Sequence, residues 1–187
     1  MGVPMQVVGI SGSMRKDGNT AKLVRLVLDQ VKAEGIKVQY ITLADKVIKP
    51  CIGCENCKEE RSCIIKNDDW HKIIDRVLAC EVLVLGSPTY YYDVNGQTKN
   101  FIDRTYSLYH DRRLAGRRAV GVAVYADKGG TRALQTMEGF FSSHEFSYLG
   151  GVLGRGYLAG EVLENKAAVQ AAGKIGQKIV SLLRPQD

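Results

Sequence analysis

Short apolar runs and amphipathic stretches alternate along the whole chain. Met5 to Ile10 is an apolar run of buried-strand type, rich in valine and isoleucine. From Ala21 to Glu34, apolar side chains recur at Val24, Val27, Leu28 and Val31, the i, i+3, i+4, i+7 stripe of an amphipathic helix. Val38 to Leu43 reads as a second strand. Asp68 and Asp69 open a second helix with Trp70, Ile74, Val77 and Leu78 on one face, and Glu81 to Gly86 follows as a centrally buried strand. Val94, Thr98, Phe101 and Thr105 mark a third helix, Ala119 to Tyr125 a fourth strand and Thr131 to Phe141 a fourth helix. Tyr148 to Leu153 is a fifth strand, and Val169, Ala172, Gly176, Ile179 and Leu183 recur at steps of three and four in a last helix.

Five strands alternating with five helices predict an α/β fold: an open parallel sheet with helices on both faces. Right-handed crossovers and five strands favour a flavodoxin-like three-layer sandwich of strand order 2-1-3-4-5. In such sheets ligands bind at the carboxyl ends of the strands, beside the switch point between strands one and three. The loops after strands one, three and four are therefore where chemistry is expected. No internal repeat, linker or low-complexity segment interrupts the 187 residues, so a single domain, 1–187, is expected.

Composition adds little to this frame. At 45% apolar residues the chain can bury a full core. No stretch approaches the roughly 20 apolar residues of a membrane span. The first residues enter the first strand without a charged region, apolar core or cleavage site of secretory type, so a cytoplasmic protein is expected. The net charge of +6 gathers partly at Arg112-Arg113 and Arg117-Arg118. No zinc finger, RNP motif or basic helix accompanies it. A solvated face or a dock for acidic partners or phosphorylated cofactors fits better than nucleic acid.

Three loops carry candidate chemistry beside a fourth, cysteine-rich one. Ser11, Ser13, Arg15, Asn19 and Thr20 follow strand one and lead into a helix N-terminus, where hydroxyls, an amide, a guanidinium and the helix dipole suit a phosphate. A polar helix cap without ligand uses the same residue types. Neither a Walker loop nor a dinucleotide fingerprint is present. A G-x-G-x-x-A string at Gly154, Gly156 and Ala159 lies too near the C-terminus to head a βαβ unit. After strand three, Ser87, Pro88, Thr89, Tyr90, Tyr91, Tyr92 and Asp93 supply a wall suited to a flat ring, or else an exposed or subunit-facing aromatic loop. After strand four, Asp127, Gly129 and Gly130 allow close backbone approach, or form a plain turn.

Within residues 50–66, Cys51, Cys54, Cys57 and Cys63 are spaced C-x2-C-x2-C-x5-C. Three close cysteines with a fourth to complete the set suit a cuboidal iron–sulfur cluster. Structural zinc more often uses two separated C-x2-C knuckles. Disulfides fit poorly without a secretory signal, and spare or redox-active thiols remain open. Cys80 reads as a small buried hydrophobe, and His71, His110 and His144 as scattered surface residues. Asp103 and Arg104 read as a structural ion pair. No hydrolytic triad is legible.

The string G-I-S-G-S-M-R-K-D-G-N-T, the cysteine loop after strand two and S-P-T-Y-Y-Y-D-V-N-G-Q-T-K-N-F-I-D-R together resemble the iron–sulfur flavoproteins. These belong to the flavodoxin-like NADPH-dependent FMN reductase superfamily. The similarity covers most of the chain and is weakest after about Thr131. It implies FMN with its phosphate in the first loop, adding Met14 to the contacts above. It places the isoalloxazine against the second and third loops, adding Gly96 and Tyr125. It further implies a [4Fe–4S] cluster on Cys51, Cys54, Cys57 and Cys63, and a homodimer or homotetramer bringing one subunit's cluster near a neighbour's flavin. Electrons from ferredoxin or NAD(P)H would reach a small-molecule acceptor such as dioxygen or peroxide, with no side chain acting as a catalytic acid or base. An NAD(P)H-dependent FMN or quinone reductase without a cluster, and a pure flavodoxin-like carrier, are the alternatives; carriers of that kind tend to be acidic.

Overall fold

Strands buried on both faces read as continuous apolar runs, and the central ones here do so. In the computed structural model, which describes residues 7–184, β1 (Val7–Ser11) is buried throughout and β3 (Val82–Tyr90) through its first six residues. Met5 and Gln6, expected in the first strand, lie outside the described residues. β1 pairs in parallel with both β2 (Val38–Thr42) and β3, β3 pairs with β5 (Arg118–Tyr125), and β5 with β6 (Ser147–Arg155). The resulting order, β2-β1-β3-β5-β6, is the doubly wound arrangement anticipated.

Alternate side chains of each strand serve opposite layers. Val7, Val82, Val84, Val120 and Val122 face α1 (Asn19–Ala33) and α7 (Lys166–Leu183). Val8, Ile10, Leu83, Leu85 and Ala119 face α3 (Trp70–Leu78), α4 (Gly96–Arg104) and α6 (Gly130–Ser143). Two short helices, α2 (Cys57–Glu60) and α5 (Tyr106–Tyr109), and one 3₁₀ turn at Glu161–Leu163 complete the described elements.

The sheet has one strand more than the periodicity predicts. β3 runs on to Tyr90 and turns back as β4 (Asp93–Val94), pairing Tyr90 with Asp93 antiparallel. The two turn residues, Tyr91 and Tyr92, both have positive φ, 48° and 69°. Two consecutive left-handed residues make a type I′ hairpin turn, which ordinarily takes Asn-Gly. Side chains at these positions cost local strain, a feature concentrated at functional sites. The hairpin also delays the third helix, which begins at Gly96 rather than Val94, with Asn95 as its cap.

Candidate functional site

The loops after β1, β3 and β5 meet at the carboxyl edge of the sheet and enclose a cleft of about 270 Å³. Of the residues expected at the site, Ser13, Arg15, Asn19, Thr20, Pro88, Thr89 and Tyr90 line it, joined by Gly18, Val124, Ala126, Gly156 and Tyr157. Ser13 is buried and its Oγ accepts a bond from the Arg15 amide, while the Arg15 side chain is exposed. Helix α1 opens at Gly18 with no side-chain cap and no acidic residue in its first turn, leaving its N-terminal amides for an anion. Thr89 Oγ1 is buried in the cleft wall without a partner, and Ser11 Oγ is likewise buried and unpaired at the end of β1. A wall with orphaned polar atoms suits a ligand that carries hydrogen-bonding edges.

Asn19, which lines the cleft, also holds a distant loop. Its amide donates to the Leu158 carbonyl at 2.9 Å and accepts from the Gly160 amide at 2.8 Å, fastening the loop after β6 against the cleft. Glu161 holds the same loop by accepting from the Tyr157 and Leu158 amides. This brings Gly156, part of the glycine string that heads no βαβ unit, into the cleft lining.

Asn95 ties the first two loops together. Its Nδ2 donates to the Gly12 carbonyl at 2.7 Å, and its Oδ1 accepts from the Thr98 amide at 3.2 Å and the Thr98 hydroxyl at 2.6 Å. A Cβ on Gly12 would collide with the Thr98 hydroxyl, so this approach requires glycine. Ser87 Oγ accepts from the Asn95 amide and donates to the Pro88 carbonyl, which occupies it in holding the loop. Asp93 accepts from the Val94 amide. Met14, Tyr91, Tyr92, Gly96 and Asp127 are exposed outside the cleft, Tyr91 completely. Gly129, at φ 89°, packs against Tyr92, and Gly130 against the Tyr125 ring, so the third loop buttresses the hairpin.

The four clustered cysteines line a second cavity, of about 110 Å³, with Ile52, Ile64 and Ile65 among its apolar walls. Burial raises the Cys57 thiol above its ordinary value, its own amide opposes this, and the sulfurs of Cys63, Cys54 and Cys51 add to the rise. The donor set is thus four thiols facing one space, which fits a thiophilic metal group. Among the described residues, no three His, Cys, Asp or Glu groups converge on one point that would hold a single ion.

The base of this loop is fastened from α4. Gln97, Asn100 and Arg104 donate to the carbonyls of Lys46, Ile48 and Lys49, at 2.9, 3.1 and 3.1 Å. Arg104 pairs with Asp68 at 2.6 Å, both side chains fully buried, rather than with Asp103. Neighbouring residues on a helix point in different directions, and Asp103 meets Lys99 one turn back instead. Burial pushes the Asp68 carboxyl up; the bonds from Arg104 and from the Lys49 and Trp70 amides outweigh this and hold it below its usual value.

Cys80 is buried as expected, and burial pushes its thiol up to about 11. His144 corrects the surface assignment. It is buried, its Nε2 lies 2.9 Å from Thr105 Oγ1, and burial lowers its pKa to about 4. Thr105 Oγ1 donates to the Ile102 carbonyl, so it accepts from His144, which places the proton on Nε2. His71 and His110 are half-buried. The arginine cluster is partly engaged: Arg112 pairs with Glu145, and Arg117 bonds the carbonyls of Arg113 and Leu78.

A model of the NADPH-dependent FMN reductase family matches residues 5–157. The chain belongs to the NADPH-dependent FMN reductase family. It is a flavin-dependent oxidoreductase on a flavodoxin-like fold. Among curated relatives, an iron–sulfur flavoprotein of Methanocaldococcus jannaschii is 35% identical over 96% of this chain and 98% of its own length. An iron–sulfur flavoprotein of Archaeoglobus fulgidus is 31% identical over 96% of this chain and 83% of its own. Among solved structures, an NAD(P)H:quinone oxidoreductase from Methanothermobacter marburgensis shares the fold, with a TM-score of 0.74 at 13% identity over 99% of both chains. No helix among the described residues is long and apolar enough to cross a membrane.

Proposed function

We propose that the chain binds FMN in the cleft at the carboxyl edge of the sheet and a [4Fe–4S] cluster on Cys51, Cys54, Cys57 and Cys63. FMN there supplies one- or two-electron chemistry, and a cluster single-electron transfer. Arg15, Ser13, Thr20 and the open N-terminus of α1 bind the phosphate. Thr89 and Tyr90 orient the ring edge and Pro88 and Val124 exclude water from it. Cys51, Cys54, Cys57 and Cys63 hold the cluster within walls of Ile52, Ile64 and Ile65. The donor is ferredoxin or NAD(P)H and the acceptor a small molecule. The exposed Tyr90–Tyr91–Tyr92 tip suits a homodimer or homotetramer contact, and a reducing cytoplasm keeps the thiols available.

The observation that carries this reading is that all four cysteines line one cavity while a separate cleft of mixed polar and apolar lining sits at the switch point. The lack, among the described residues, of a point of convergence for a single ion favours a second reading, a flavin reductase whose thiols bind nothing. Iron, sulfide, zinc and flavin assays on anaerobically purified protein decide between them. About four irons and four sulfides per chain with one FMN is the expected result. Flavin without iron and sulfide refutes the cluster.

A further inference from the structure

Arg104 stands at the end of α4 with 1% of its surface exposed. Its Nη1 donates to the Lys49 carbonyl and to Asp68, and its Nη2 to the Ile65 carbonyl at 2.7 Å. Its Nε donates to Cys63 Sγ at 3.0 Å, and the guanidinium lies 4.9 Å from the Trp70 ring centroid. Lys49 stands two residues before Cys51, and Ile65 two residues after Cys63. One side chain therefore fastens both ends of the cysteine loop and points a charged donor at one of its four sulfurs. A neutral thiol is a weak acceptor. A buried guanidinium N–H is matched far better by a sulfur that carries negative charge, as a metal-bound thiolate does.

We propose that Arg104 is the positioning residue of the cysteine loop: it closes the loop's base and donates to the Cys63 sulfur, raising the reduction potential of the group that sulfur ligates. The second half of this proposal rests on the cluster reading above; the first does not. Hydrogen bonds to ligating sulfurs are among the protein's means of setting a cluster's potential.

The test uses full-length, FMN-loaded protein carrying Arg104→Lys, which keeps a charge for Asp68 but lacks the planar fork. In metal-free protein, amides between 50 and 66 should exchange about tenfold faster than in the parent, the consequence of losing one or two net hydrogen bonds. Amides of β1, β3 and β5 should keep their protection. After reconstitution with iron and sulfide, the cluster midpoint should move to a more negative potential. The double variant Asp68→Asn/Arg104→Gln leaves neither charge buried alone and should show both effects, which covers the case in which Arg104→Lys does not fold. Loop exchange unchanged, or accelerated equally across the sheet, would overturn the clamp. An unchanged midpoint would overturn the bond to sulfur. If the parent protein takes up no iron and sulfide, the cluster reading fails, and the exchange measurement alone still decides the clamp.

Discussion

Replacing Asn95 by alanine removes three hydrogen bonds at once, and their cost can be worked from their partners. Loss of the helix cap to the Thr98 amide costs about 1 kcal/mol. The Gly12 carbonyl and the Thr98 hydroxyl lose their buried partner, each costing about 1–3 kcal/mol, partly relieved by relaxation. A total of about 3–4 kcal/mol corresponds, for a chain of this size, to a midpoint lower by about 10 °C. Because the Gly12 tie positions the proposed phosphate loop, FMN should also bind about tenfold more weakly, equal to about 1.4 kcal/mol. Asn95→Ser separates the two roles: serine caps α4 but is too short to reach Gly12. It should recover about 1 kcal/mol of stability and none of the flavin affinity. Thermal unfolding of flavin-free protein and titration of flavin fluorescence read the two quantities separately. A loss below about 1 kcal/mol for alanine would refute the buried-hub reasoning. Full flavin affinity in the serine variant would refute the link to the phosphate loop.

Arg15→Ala should weaken FMN binding about tenfold to a hundredfold, as one charge-assisted contact of about 1.5–3 kcal/mol is lost, with the unfolding midpoint unchanged; equal affinity would move the phosphate elsewhere. Cys54→Ser should lose iron and sulfide while retaining FMN, because the two cavities share no lining residue; joint loss of both cofactors would contradict their independence. His144 supplies a pH prediction. Its folded pKa of about 4 lies below the ordinary 6.5, so the unfolded chain binds the extra proton first, and stability present above about pH 6.5 declines as pH falls toward 4. The full effect is about 3 kcal/mol from a shift of about 2.5 units, and His144→Gln should flatten this part of the urea-denaturation profile. A variant with the same slope as the parent between pH 6.5 and 4 would show that other groups dominate.

The strand order and both helix layers were legible because Val, Ile and Leu at strand positions and the stripes of α1 and α7 carry strong periods. The hairpin was not, because Tyr91 and Tyr92 hold a turn that sequence normally signals with glycine or asparagine. Among site residues, those of the first loop that line the cleft were recognisable by type, but the bonds of Asn19 to Leu158 and Gly160 were not. Such partners, about 140 positions away, leave no local trace. Tyr157 and Gly156 enter the cleft for the same reason. Asn95 carried a usable signal: an Asx residue three before Thr98 and at the start of a helix is a cap. Gln97, Asn100 and Arg104 also repeat at helical spacing, a polar stripe that could have been read as a contact face rather than as solvent-facing residues. The burial of His144, the residue that ends α6, had no such signal, since its shelter is built from Thr105 at the junction of α4 and α5, Tyr109 on α5 and Phe140 on α6.

The fastening of residues 46–49 and Ile65 to α4 makes the thirteen-residue cysteine segment modular. Its ends are fixed at the helix whatever lies between them, so changes in the intervening chain are felt as loop closure rather than as strain in the sheet. Closure entropy grows slowly, by about 0.6 kcal/mol for each doubling of length. A fold built this way can lengthen or shorten that segment at small thermodynamic cost, leaving the cleft between the loops after β1, β3 and β5 in its present geometry. Under the proposed cluster reading, electron-transfer range and partner choice are then adjustable properties of one insert on an unchanged reductase scaffold.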